Sequence, residues 1–110
     1  GIAVSSGNSF VHETESQVIL NGSYNINFTM DLVLKDTGLF DELAKKLNAP
    51  LEISPKIVEI FKDGQKKYGS RAWSSMIVKR MEDLNKIDFR AEGFPEELTD
   101  NEPEEKGYEI

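Results

Sequence analysis

Phe28-Thr29-Met30-Asp31-Leu32-Val33-Leu34-Lys35-Asp36-Thr37-Gly38-Leu39-Phe40-Asp41-Glu42-Leu43-Ala44-Lys45-Lys46-Leu47 is the stretch that decides the fold. Phe28, Leu32, Lys35, Leu39 and Leu43 follow one another at steps of 4, 3, 4 and 4, the spacing of one face of an α-helix. Met30, Val33, Phe40, Ala44 and Leu47 form a second stripe that widens the apolar face. The pattern predicts a helix from Phe28 to Asn48, ended by Ala49-Pro50 because proline disfavours helix in the residue before it. Lys35 then projects from the middle of the core-facing seam, with Asp36 one residue around. An unpaired ammonium is expensive to bury, so a lysine placed there is paired or faces a polar cleft. The helix is expected to line a site.

Working outward, Asn8 or Ser9 can cap a helix that runs to about Leu20 and stops at Asn21-Gly22. Ser23 to Asn27 read as a polar connection. Gly38, inside the long helix, costs on the order of 1 kcal/mol relative to alanine and is read as allowing close packing or marking a bend. Ser54-Pro55 opens a third helix with a cap residue and a proline at the first helical position. Its apolar face carries Ile57, Ile60, Phe61, Gly64 and Tyr68, and Gly69 stops it. A fourth helix is predicted from Ser74, with Trp73, Ile77, Met81 and Leu84 on its buried side. Beyond Asn85-Lys86 the periodicity ends. The expectation is an all-α helical bundle over residues 1–86, followed by an acidic extended tail over residues 87–110.

A chain of 110 residues suits one domain with a modest core. Its lack of cysteine excludes disulfides and thiolate metal sites. No apolar run approaches the roughly 20 residues of a membrane span, and the sequence shows no charged-then-apolar N-terminal leader, so export is not expected. A cytoplasmic protein without a membrane partner is the expectation. The net charge of −7 is unevenly distributed: residues 92–110 hold eight acids against Lys106 alone, and the remainder is neutral. That leaves no basic footprint for nucleic acid.

The run Phe28-x-x-x-Leu32-x-x-Lys35-Asp36 resembles the F-x-x-x-L-x-x-K-D signature of the β-hydroxyacid dehydrogenases, of 3-hydroxyisobutyrate dehydrogenase type. Ser6-Gly7-Asn8-Ser9 resembles the small-residue turn of that family. Gly22-Ser23-Tyr24 is similar to its Gly and aromatic before the Phe, and Leu47-Asn48-Ala49-Pro50-Leu51 to its connection between two helices. The likeness covers roughly residues 1–85 and implies the C-terminal helical domain of 6-phosphogluconate-type dehydrogenases without its first long helix.

By that resemblance, the parent protein moves a hydride between NAD or NADP and a short β-hydroxy acid, as a homo-oligomer. The family's dinucleotide-binding G-x-G-x-x-G turn is absent from this sequence, as is its G-x-x-G-x-G-x-x-x-K-x-x-x-N motif with the catalytic Lys. No catalytic residue is therefore assigned to this chain, which is expected to be inactive alone. The resemblance implies Lys35 as a cofactor-binding residue and Phe28 and Asp36 as residues of the substrate cleft. Each has a plainer reading: a lysine snorkelling to solvent, a structural ion pair, and a core anchor. His12 is read as solvent-facing, because no partner stands at metal-ligand spacing. Ser74-Ser75 are read as a helix cap, Trp73 and Met81 as core, and the acidic tail as a solvated extension. A free-standing helical protein-interaction module with an acidic tail is the alternative function.

Overall fold

Helix α1 (Phe10–Asn21) is bounded at both ends by the residues its sequence offers for that purpose. Ser9 Oγ accepts the His12 N–H at 3.0 Å, which satisfies one of the orphan donors of the first turn. At the other end Gly22 adopts φ 91°, and its N–H returns to Val18 and Ile19 carbonyls. The computed structural model that shows this describes residues 1–99 and 101–107. Among the described residues the regular elements are α1, α2 (Met30–Lys46), α3 (Ser54–Tyr68), α4 (Lys79–Asn85) and two 3₁₀ segments, Ile2–Val4 and Ser74–Val78. The chain is an all-α bundle.

Helix α2 starts two residues later than its periodicity predicts. The groups around its start are used by the loop after α3: Met30 N–H donates to Ala72 O at 2.9 Å, Asp31 N–H to Ser70 O at 3.0 Å, and Ser74 N–H to Phe28 O at 2.7 Å. Phe28 therefore stays extended. Helix α3 begins at Ser54, but the serine is its first residue and not its cap. The Ser54 hydroxyl donates to Asp41 Oδ1 at 2.6 Å and so ties α3 to α2. Gly69, at φ 104°, ends α3 as expected.

The predicted fourth helix divides into the 3₁₀ segment Ser74–Val78 and α4. Its expected apolar side is corrected too: Met81 and Leu84 are exposed, and Glu82 points inward at 1% exposure. Gly38 is corrected likewise. A Cβ built there would meet nothing within 4 Å, whereas one on Gly64 would lie 2.7 Å from Ile77 Cδ1 and 3.1 Å from Met30 Sδ. Close packing falls at Gly64, where α3 crosses the start of α2.

The seam of α2 is the largest correction. Helix α3 covers the second stripe at Met30 and Ala44, which are buried, while Leu39, Phe40, Leu43 and Leu47 are each more than half exposed. Lys35 lies on this open face and not inside a core. Val18, Tyr24, Met30 and Ala44 are the buried apolar residues among those described. The accessible surface is 8694 Å², against roughly 6,100 Å² for a folded monomer of this mass. The exposed stretch after α4 supplies part of the difference, and the open face of α2 adds to it.

Candidate functional site

Two features converge near the start of α2. The first is a groove of about 470 Å³ between α1, α2, α3 and the 3₁₀ segment, walled by Val11, Ile19, Phe28, Val33, Phe61 and Ile77. Its polar rim includes His12 and Glu15 of α1. His12 is half-buried on this wall, not solvent-facing as the sequence suggests. Ser75, fully buried, donates its hydroxyl to Glu15 Oε2 at 2.8 Å. Ser74 and Ser75 are therefore not caps. Trp73 occupies that position, and Ser75 joins the 3₁₀ segment to α1. Ser75 is fully buried, so its hydroxyl is out of reach of a substrate and the bond to Glu15 is structural.

The second feature is the exposed face of α2. Lys35 Nζ lies 3.3 Å from Asp36 Oδ1, with 61% and 59% of their side chains exposed. An ion pair this exposed contributes about 0–1 kcal/mol, so it does not explain the pair's placement among leucines. Phe28, 37% exposed, forms part of the groove wall. The three residues singled out in the sequence thus divide between the two features: Phe28 enters the groove, and Lys35 and Asp36 stand on the open face outside it.

The start of α2 carries a cluster that sequence reasoning missed. Thr29 Oγ1 donates to Asp31 Oδ1, which also accepts the Leu32 N–H at 3.0 Å. Arg71 Nη1 reaches Asp31 Oδ2 at 3.1 Å. The Thr29 hydroxyl, more than the Arg71 guanidinium, holds the Asp31 carboxyl below its usual range. An acid in the first turn also suits the positive end of the helix dipole. Thr29-x-Asp31 is a legible start signal, but the apolar stripe draws the eye to Phe28.

Between α3 and α4, Arg80 Nε meets Asp63 Oδ2 at 2.6 Å and Tyr68 Oη donates to Asp83 Oδ2 at 2.7 Å. Burial and that bond to Asp83 push the Tyr68 phenol up to about 12. Among the described residues, no group of three or more His, Asp or Glu could hold a metal ion. The arrangement offers an apolar groove beside an exposed cation–carboxylate pair. It can bind and orient.

Residues 1–81 match the family model described as NAD-binding of NADP-dependent 3-hydroxyisobutyrate dehydrogenase. The 2-(hydroxymethyl)glutarate dehydrogenase of Eubacterium barkeri is 32% identical over 87 residues, covering 78% of this chain and 29% of the relative. The chain thus spans less than a third of that relative's length. No solved structure matches it.

Proposed function

Since this chain belongs to the β-hydroxyacid dehydrogenase family, we propose that it works as the C-terminal helical domain of an NAD(P)-dependent oxidoreductase of short β-hydroxy acids. In this reading the open face of α2 borders the cofactor and substrate cleft. The observation that carries it is Lys35 and Asp36 side by side and exposed, within the matched residues, on a face where Leu39 and Leu43 are also exposed. A helix face with that mixture fits a cleft wall better than an outer surface.

The nicotinamide, when bound, supplies or accepts the hydride. This chain's residues bind and orient. Lys35 offers three N–H donors on a flexible stem to the cofactor or to a negative group of the substrate. Asp36 restrains that ammonium and offsets its charge. Phe28 keeps water from the apolar side. The sequence has no glycine-rich phosphate turn, so the chain supplies the smaller part of the dinucleotide site. The groove beside Phe28 is wide enough for apolar side chains of another helix of the parent enzyme.

The remaining open apolar surface is assigned to a second copy in a homo-oligomer, since symmetric dimers are the commonest way to cover such a face. A cytoplasmic setting goes with this reading, and no described helix is long and apolar enough to cross a membrane. One observation favours the alternative of an interaction module: Lys35 already has a carboxylate partner. The DNA upstream of Gly1 separates the two, an in-frame dinucleotide-binding domain supporting the first and an adjacent start codon the second. Titration of the 110-residue chain with NADH and NADPH, followed by a turnover assay, tests the first further. Weak binding and no turnover are expected. Hydride transfer by this chain alone would overturn the assignment.

A further inference from the structure

Glu82 is 1% exposed, and a carboxylate taken out of water needs both charge and hydrogen-bond partners. It finds them in two other segments. Tyr24 Oη, from the connection after α1, donates to Glu82 Oε1 at 2.6 Å. Arg90 Nη1, from the segment after α4, reaches Glu82 Oε2 at 3.2 Å. The ring closes through Arg90 Nη2, which donates to Tyr24 Oη at 2.8 Å, and the guanidinium stands 5.2 Å from the Tyr24 ring centre. Gly22 gives it room: a Cβ there would lie 2.5 Å from Arg90 Nε.

The segment that carries Arg90 is fastened along its length. Ile87 N–H donates to Glu82 O at 3.1 Å and Ala91 N–H to Leu20 O at 3.0 Å. Asn21 Nδ2 donates to Phe94 O at 3.0 Å, Ser23 Oγ to Glu96 O at 2.6 Å, and Asn25 Nδ2 to Glu97 Oε1 at 3.3 Å. Four of these five contacts involve Asn21–Asn25 or the carbonyl just before them. The connection they grip holds Tyr24 at φ 55° and Asn27 at φ 56°, left-handed conformations that persist only where the surroundings impose them.

We propose that residues 87–97 are a strap, locked by the Tyr24–Glu82–Arg90 ring, that holds the connection Gly22–Thr29 in its left-handed turn and thereby fixes where Phe28 and the start of α2 lie. The strap is a positioning device for α2. It does not depend on the enzymatic role proposed above. Glu82 and Arg90 both lie outside residues 1–81, which the family model matches. Among the strap's acidic side chains Glu97 meets Asn25, and the backbone and Arg90 make the rest of the attachment.

Amide hydrogen exchange on the whole chain tests this. In Arg90→Gln, the Gly22, Tyr24 and Met30 amides should lose protection by about tenfold, the loss expected for one hydrogen bond to a charged group. The amides of α3 should keep theirs. Tyr24→Phe, which leaves the Arg90–Glu82 pair intact, should give the same local pattern at smaller amplitude. If Arg90→Gln alone fails to fold, the double variant Glu82→Gln with Arg90→Gln removes the stranded charge and should fold with the connection still unprotected. Equal loss across all helices would reduce the ring to general stability. Loss confined to residues 87–97, with the connection still protected, would show that the strap positions nothing. Either result overturns the proposal.

Discussion

At its N-terminal end α2 starts from a fully buried Met30 and three backbone hydrogen bonds with residues 70–74 and Phe28. At its C-terminal end Leu39, Phe40, Leu43 and Leu47 are each more than half in solvent. The two halves have similar apolar content and the same helical geometry. They differ in what lies opposite: α3, the loop after it and the 3₁₀ segment close over the first, whereas the second is covered at Ala44 and tied to α3 at Asp41 with its leucines left open. Apolar periodicity states which side of a helix avoids water. It does not say whether the covering element belongs to the same chain. The closed half is therefore the part of α2 on which this chain's own stability rests, and the open half is the part proposed above to meet another surface.

The sharpest way to break this comparison is to truncate one residue from each half. Met30→Ala should lower the unfolding free energy by about 2–5 kcal/mol, the range for a large buried side chain. Leu43→Ala should cost less than about 0.5 kcal/mol, as at an exposed site. Denaturant titration reads both, and comparable losses would erase the distinction.

Two glycines offer a test with opposite signs. Gly64→Ala puts a methyl 2.7 Å from Ile77 Cδ1 and should destabilise by about 1–3 kcal/mol through overpacking. Gly38→Ala meets open space and should stabilise by up to about 1 kcal/mol by raising helix propensity. Thermal melts of the two variants decide it.

The open half should also drive self-association. Sedimentation at micromolar concentration is expected to show a concentration-dependent dimer that Leu39→Asp or Leu43→Glu disperses to monomer. A compact monomer at all concentrations would mean that this face needs no cover.

The smallest expected effect is on pH dependence at the closed half. Asp31, held low by the Thr29 hydroxyl and then by Arg71, favours the folded state when ionised. Its contribution is present above its unfolded value near 3.8 and is lost as pH falls through the lower folded value. Asp63 and Asp83 act with the same sign, through Arg80 and Tyr68 respectively. Asp31→Asn should flatten the acid limb of the melting temperature against pH and leave the neutral plateau nearly unchanged.

Much of this architecture is legible locally. Ser9 and Gly22 bound α1, and Pro55 and Gly69 mark α3, because caps and stops act on their own neighbours. What is not legible depends on residues far apart in sequence. Glu82 looks like a solvent-facing helix residue until Tyr24 and Arg90 come to it. Met81 and Leu84 look like core until the 3₁₀ segment rotates α4. At the candidate site, the F-x-x-x-L-x-x-K-D resemblance identified the family, but the spacing that placed Lys35 inside a core misjudged its surroundings. Helical phase is encoded in the chain, and the cover over each phase is not.

The central claim is that the open face of α2 serves function and not folding. Lys35→Ala in the full-length enzyme proposed above tests it most directly. The expected result is a fall in kcat/KM of about tenfold or more, the loss of one charge-assisted hydrogen bond, with an unchanged melting temperature. An unchanged kcat/KM together with a lowered melting temperature would contradict it and make Lys35 a structural residue.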